Sequence, residues 1–535
     1  MILLRTDAPQ RSDLPLMRVR TSVRGPTQGG AQPSTNFTMQ SPDVDGDIDN
    51  SLNTLSVGGR SCDLAKTQDT GGIKTRNPHK LHEHHVIIAN MEFDSNIVII
   101  GAGVFGLSTA RQLALEGYKN IVILDRHVPP APDASSNDIS RAIRFDYADG
   151  DYLDVAYEAY LEWSRSPRYK DIFVPTPIII ASTEGTKGSS YLKGTTSQFE
   201  RRGLPWTTLG DANAARKVFP LLTGPLAAKP FVGYFNNAAG WADASKTLLR
   251  LRDDCLDLGV SFICGSAGTV TGLETDGTGG NIKAARTRAG DVIQGDYFIL
   301  AAGAWNSALV PMYNSVLATG QVLAYIRLTE AEMQKYEKLP IYLNFSTGWF
   351  NFPPHKDTQL LKVAIHGWGY TRQPDENDGG PGATRSVQST PPAKARRQRA
   401  NFTPQDGEER LRDGLREMLP ELADRPFERT AVCWYTDTPS GDFIMDYHPD
   451  HRNLFIGGAG SGHAFKFAPV LGKYMSLAIK KELPPNLAKK WRFRTEYADK
   501  GMDVFLGDGS RGGPERRELG QEERAGLDDE PRAKL

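Results

Sequence analysis

Residues 101–106 read GAGVFG, the pattern G-x-G-x-x-G with Gly101, Gly103 and Gly106 in their places. In such a turn the first glycine permits a tight bend, the second lets the backbone approach a pyrophosphate, and the third packs a helix onto a strand. The helix N-terminus attracts the anion. Val104 and Phe105 lie inside the turn. Asp125 ends the next apolar run, nineteen residues after Gly106, where its carboxylate accepts from ribose hydroxyls. A dinucleotide is the expected ligand, but NAD and FAD share this pattern and the turn does not choose between them. Far downstream, SGHAFKFAP at 461–469 sets His463 and Lys466 three residues apart among aromatics, directly after IGGAG. In NFPPHKDTQLLKVAIHGWGY, residues 351–370, a two-residue period puts Lys362, Ala364 and His366 on one strand face. A buried lysine and histidine facing one way need partners. Cys433 sits in an apolar, strand-like run, where an inert core thiol is the common fate.

These groups need a scaffold. SNIVIIGAGVFGLSTARQLALEGYKNIVILD, residues 95–125, alternates an apolar run, the glycine turn, a helical period and a second apolar run, which predicts a βαβ unit. GWADASKTLLRLRDDCLDLGVSFICG reads as a helix leading into a strand, and DYFILAAGAWNSALV as a buried strand ending in a glycine turn. Both belong to one α/β domain. FVPTPIIIAST and GQVLAYIRLTE are strand-like runs with β-branched and aromatic content, so a second, sheet-based domain is threaded through the first. Residues 371–405 are polar, basic and proline-rich, and read as a surface loop or a disordered insertion. Residues 1–93 lack apolar periodicity and read as a disordered tail. Within it the histidines of HKLHEHH at 79–85 lack a scaffold and read as a solvated cluster, so no metal is expected. A charged polar tail begins at about 496.

Bulk properties exclude several function classes. A chain of 535 residues holds two to four domains by length. With 63 basic and 64 acidic side chains the net charge is −1, so there is no field to hold nucleic acid or an anionic bilayer. The four cysteines, Cys62, Cys255, Cys264 and Cys433, form no CxxC pair, a usage that suits a reducing compartment. No run of eighteen apolar residues occurs, and a soluble protein with no membrane partner is expected.

With SSNDISRAIRF (135–145), AAGAWNSALV (301–310), and VCWYTDTPSGDFIMDYHP followed by GAGSGHAFKFAPVLG, the chain resembles the D-amino-acid oxidase superfamily of flavoenzymes. It is most similar there to monomeric sarcosine oxidase and the fungal fructosyl amino acid and saccharopine oxidases, over roughly residues 95–495. The resemblance implies an α/β (α+β two-domain) flavoprotein with a Rossmann-like FAD-binding domain, a mixed-sheet substrate domain and disordered terminal tails. The FAD-binding domain is expected at 94–173, 233–318 and 432–495, and the substrate domain at 174–232 and 319–431.

Residue by residue, the resemblance assigns FAD binding to the glycine turn, Asp125, Arg126, Ser140, Arg141, Ala302, Gly303, Trp305, Gly462 and Lys466. It implies a thioether from Cys433 to the flavin. Lys362 would stand by the flavin N5 and promote reaction with O2, where a fixed ammonium stabilises superoxide-like charge. Arg144 and Lys466 would hold the substrate carboxylate, a guanidinium offering two parallel donors to two oxygens. His366 would line the pocket and His463 stand beside the reacting amine. One departure is Ala464, where the family usually has glycine.

The implied activity is oxidation of a secondary or N-substituted amino acid at its C–N bond, with O2 reduced to hydrogen peroxide. A dehydrogenase with a non-oxygen acceptor and a non-catalytic dinucleotide-binding sensor are the alternatives. The C-terminal Ala-Lys-Leu is a conservative variant of the peroxisomal address Ser-Lys-Leu, so the import receptor is an expected partner and the peroxisome the expected location, with the cytoplasm as alternative.

Overall fold

The computed structural model describes Ile2–Leu3 and residues 91–528, except 228–229, 278–279, 375–387, 393–398 and 502–506. All of these belong to one unit, Met1–Thr6 with Val86–Leu535. HKLHEHH and the terminal Ala-Lys-Leu lie outside the described residues. Among the described residues no helix is long and apolar enough to cross a membrane.

The βαβ unit forms as its periodicity predicts: strand Asn96–Ile100, helix Val104–Leu115, strand Asn120–Asp125. Ile97 to Ile100 are buried on both faces, which is why the run is continuously apolar rather than alternating. The strand lies inside a seven-stranded sheet whose spatial order is Ile2–Leu3, Ser261–Cys264, Asn120–Asp125, Asn96–Ile100, Tyr297–Leu300, Leu454–Gly458 and Ile444–Tyr447. Every pair is parallel except the last. Ligands in such sheets bind outside the carboxyl ends of the strands. Gly101, Asp125, Ala301 and Ala459 all follow or end strands on that side.

A ten-stranded mixed sheet carries the second domain. Its longest strand, Leu317–Arg327, pairs antiparallel with Leu360–Ile365 on one side and with Arg429–Asp437 on the other. In that register Tyr325 is opposite Lys362 and Gln321 opposite Cys433. The strand bearing Cys433 therefore belongs to the substrate sheet, and the expected boundary at 432 moves beyond Asp437. Phe231–Asn236 likewise pairs with Ile178–Thr183 in this sheet, moving the expected boundary at 233. Both errors arise from pairings between distant segments, which no local pattern records.

Three further expectations are corrected. The region after 496 is not a disordered tail throughout: Arg517–Glu518 pairs with Tyr370–Thr371, and helix Gln521–Asp528 buries Leu527 against the substrate domain. The insertion at 371–405 is anchored where it is described. Ser389, Thr390 and Arg399 are buried, and Arg399 donates to the carbonyls of Ala134 at 2.7 Å and Asn137 at 2.6 Å. Ile2–Leu3, within the expected N-terminal tail, forms the sheet edge.

Candidate active site

One cavity of about 500 Å3 runs from the glycine turn to Lys466, within the size range of ligand pockets. At its first end Gly101 holds φ +107°, and a Cβ there would stand 2.4 Å from the Ala301 carbonyl oxygen. A Cβ on Gly106 would stand 1.9 Å from the Gly101 oxygen, so the third glycine packs the helix and does not line the cavity. Gly103, Val104 and Phe105 do line it. The Val104 amide donates to Ser136 Oγ at 3.0 Å, a hydroxyl that sequence reasoning missed.

Asp125 accepts from the amides of Ala102 at 2.7 Å and His127 at 2.9 Å, which fixes its carboxylate at the strand end. Burial pushes its pKa up. Arg126 pairs with Asp133 at 2.7 Å and lies 4.0 Å over the Trp305 ring. That stacking joins the end of strand Asn120–Asp125 to the turn of Ala302 and Gly303, both in the cavity wall. The residues present thus fit the adenine dinucleotide portion of FAD: a glycine turn lying close against neighbouring backbone, a helix N-terminus, and a carboxylate for the ribose.

Farther in, the strand face carrying Lys362, Ala364 and His366 opens onto the cavity. Lys362 is 2 % exposed, and its Nζ contacts Asp138 Oδ2 at 2.8 Å and the Ser140 carbonyl at 3.0 Å. Ser140 itself stays behind the wall, its hydroxyl buried without a partner among the described residues. Asp138 is the principal residue that the sequence analysis overlooked. It also pairs with Arg141 at 2.6 Å and Arg399 at 3.7 Å, and accepts from the Tyr325 hydroxyl at 2.7 Å. Burial pushes Asp138 up, but Lys362, Arg141 and Arg399 outweigh it and hold the carboxyl well below the usual range. Burial lowers Lys362 to about 8 despite the pull of Asp138. Cys433, 3 % exposed, faces the same space, within electrostatic reach of Arg141, Arg399 and Lys362.

At the far end stand Arg144 and Lys466, each 6 % exposed. Arg144 donates to the Asp146 backbone carbonyl and lies 5.5 Å over the Tyr147 ring. The Asp146 carboxylate instead accepts from Tyr234 at 2.9 Å. Lys466 occupies a short 3-10 turn, Ala464–Phe467, and points inward, donating to the Tyr147 hydroxyl at 2.9 Å and the His463 carbonyl at 2.8 Å. Among the described residues neither cation has a carboxylate within ion-pair distance. Burial and then the charge of Arg144 hold Lys466 well below the usual lysine range.

His463 bonds through Nδ1 to the Tyr147 hydroxyl at 2.8 Å and through Nε2 to the Gly441 carbonyl at 2.9 Å. The carbonyl only accepts, so Nε2 carries the proton and Nδ1 accepts from Tyr147. Burial, then the charge of Lys466, keeps this ring well below the usual histidine range, and burial does the same to His366. With both nitrogens engaged inside the protein, His463 orients Tyr147, a residue the sequence reading did not single out. Gly462 holds φ +72°, a conformation that favours glycine, and a Cβ there would also meet the Tyr435 ring at 2.2 Å; the 463–466 segment that follows lines the cavity. Ala464 fits, 6 % exposed, in the wall.

The family model for FAD dependent oxidoreductases (DAO) matches residues 96–477. L-saccharopine oxidase of Schizosaccharomyces pombe is 30% identical over 421 residues, covering 76% of this chain and 94% of that protein. Peroxisomal sarcosine oxidase of Homo sapiens is 27% identical over 398 residues, covering 71% and 90%. Among solved structures, the deglycating enzyme fructosamine oxidase (Amadoriase II) from Aspergillus fumigatus superposes with a TM-score of 0.69 at 26% identity, covering 80% of this chain and 96% of that one.

Proposed function

From the premise that the chain belongs to the DAO family of FAD-dependent oxidoreductases, we propose how its cavity carries out oxidation of an amino acid at a C–N bond. The protein is an FAD-dependent oxidase of secondary or N-substituted amino acids that reduces O2 to hydrogen peroxide. One observation supports the substrate class above all others: among the described residues the buried Arg144 guanidinium and Lys466 amine share the end of the FAD cavity with no carboxylate within ion-pair distance, Asp146 acting on both only from farther off. Buried charge of one sign is costly unless an anion answers it. The substrate carboxylate supplies that anion.

Held at the glycine turn and Asp125, FAD would supply the acceptor for the hydride equivalent from the carbon next to nitrogen and the means of reducing O2. The chain contributes the rest. Arg144 grips the carboxylate with two parallel donors, and Lys466 adds a third contact whose direction Tyr147 fixes. Tyr147 is in turn held by the neutral His463. The apolar wall of Phe350, Phe352 and Leu343 keeps the reacting carbon from bulk water. Among the described residues no carboxylate lines the large cavity at that end to act as a base, so the free amine must arrive unprotonated. Water hydrolyses the released imine outside the site. An amine panel read by peroxide release tests this; no peroxide with any secondary amino acid contradicts it.

Binding should draw in a proton. An arriving carboxylate opposes the burial and the Arg144 charge that depress Lys466, so its folded-state pKa rises on binding. Affinity for a carboxylate ligand therefore falls as pH climbs through the pKa of the complex. Titration calorimetry in two buffers of different ionisation enthalpy should register net proton uptake; none at any pH would show Lys466 already charged in the free site.

We place Cys433 as the covalent anchor of the flavin, supported by its position in the cavity wall beside Lys362 and Arg141. Cys433→Ala protein should lose all yellow colour to the supernatant on acid precipitation, whereas the parent protein keeps it in the pellet. Colour in both supernatants would remove the tether. A peroxisomal location is supported by a relative named for that compartment and by the peroxide product.

A further inference from the structure

A second compartment of about 120 Å3 opens beside the substrate end of the large cavity, with Arg144, His366, Ser461 and His463 in the walls of both. Its outer wall comes from residues 507–516, beyond the family match at 96–477. That wall is fixed in place. A Cβ on Gly512 would stand 2.4 Å from the Phe345 oxygen, and the Gly513 amide donates to the Ser346 carbonyl at 2.9 Å. Arg511 clasps both oxygens of Asp437 at 2.5 Å and donates to the Ser461 carbonyl at 2.9 Å. It thereby ties the Cys433 strand to the turn that leads into His463.

The ionic groups of this compartment largely cancel: Asp437 with Arg511, Asp442 with Arg494 at 3.4 Å, and Asp149 with Lys490 at 2.5 Å. Asp508 differs. It is exposed, and it accepts hydrogen bonds from within its own turn, from the Ser510 amide at 2.9 Å and hydroxyl at 2.5 Å. The hydroxyl-bearing rings of Tyr147, Tyr152 and Tyr191 line the inner side.

We propose that this compartment receives the substituent on the substrate nitrogen and that Asp508 meets a protonated amino group at its far end. The inference rests on the amine-oxidase reading above. At about 30 Å3 per water-sized atom the space holds about four non-hydrogen atoms. An N-methyl group would leave most of this volume empty, while a three-carbon chain ending in an amine, four non-hydrogen atoms, matches it. Arg516 on the same wall makes a carboxylate-ended chain the competitor to be separated.

The test uses the full-length holoenzyme and three compounds: sarcosine, N-(3-aminopropyl)glycine and N-(2-carboxyethyl)glycine. Anaerobic flavin bleaching and steady-state kcat/KM are measured for each. The amino-ended compound should exceed the carboxyl-ended one, and Asp508→Asn should lower the ratio of amino-ended to sarcosine kcat/KM roughly tenfold, mainly through KM. Asp508→Lys should reverse the preference between the two charged ends. A ratio unchanged in both variants, or a parent protein that prefers the carboxyl-ended compound, overturns the assignment. Because the readout is a ratio on one protein sample, a general folding defect leaves it unmoved. If no compound bleaches the flavin, the amine-oxidase reading itself fails; if sarcosine bleaches it and the ratios stay flat, only this assignment fails.

Discussion

Lys362→Met should slow the reaction of the reduced protein with O2 by about 10²–10³-fold, the scale set by loss of one preorganised charge at a site of developing negative charge. Reduction by the amino acid should change far less. The asymmetry follows from where the ammonium stands: it is held by Asp138 at 2.8 Å and the Ser140 carbonyl at 3.0 Å, on the wall beside Cys433 and apart from Arg144 and Lys466. Rapid mixing with substrate under nitrogen, then with oxygenated buffer, separates the two half-reactions. Equal slowing of both would remove Lys362 from its assigned role. The same geometry sets a pH dependence. Burial lowers Lys362 to about 8, so the charge is present below that pH and lost above it. The rate with O2 should fall about tenfold per pH unit on the alkaline side, and Lys362→Met should abolish that slope.

Arg144→Gln should cost the substrate carboxylate its paired donors. Truncating one member of a buried, hydrogen-bonded charge pair costs about 2–5 kcal/mol, equivalent to roughly 30-fold to several thousandfold in kcat/KM. The loss should appear in the reductive half-reaction and spare the rate with O2, the mirror image of Lys362→Met. Lysine in its place should recover little, because a point ammonium does not present two parallel donors. Stopped-flow bleaching against substrate concentration distinguishes a raised dissociation constant from a slowed hydride step. An unchanged reductive rate would place the carboxylate elsewhere.

Sequence reasoning located the parts of this site that depend on local pattern. The glycine turn, Asp125 and the strand face of Lys362, Ala364 and His366 are each legible from spacing within a few residues, and each faces the cavity. Arg144 and Lys466, separated by 322 positions in the numbering, came from family resemblance, and the fold brings them to one end of one cavity. What escaped notice depends on distant partners. Asp138 looks like any loop acid until Lys362, Arg141 and Arg399 converge on it from three segments. Tyr147 reads as a core aromatic until Lys466 and His463 both bond to its hydroxyl.

The region after 496 was misread for a different reason. Its contacts to the substrate domain are made by backbone at Gly512 and Gly513, by the guanidinium of Arg511 and by single apolar residues such as Leu519 and Leu527. None of these produces a hydrophobic period. A charged, glycine-rich stretch docked by backbone contact and ion pairs therefore carries the same composition as a disordered tail.

The central claim is that one cavity holds FAD at the glycine turn and an amino acid carboxylate at Arg144 and Lys466. Anaerobic titration of the purified, full-length protein with secondary amino acids, followed by admission of air, addresses it directly. The account predicts a visible flavin spectrum that bleaches with substrate and returns in air with one peroxide formed per turnover. A protein that is colourless and takes up no FAD, or whose flavin colour persists with every amine, would contradict it.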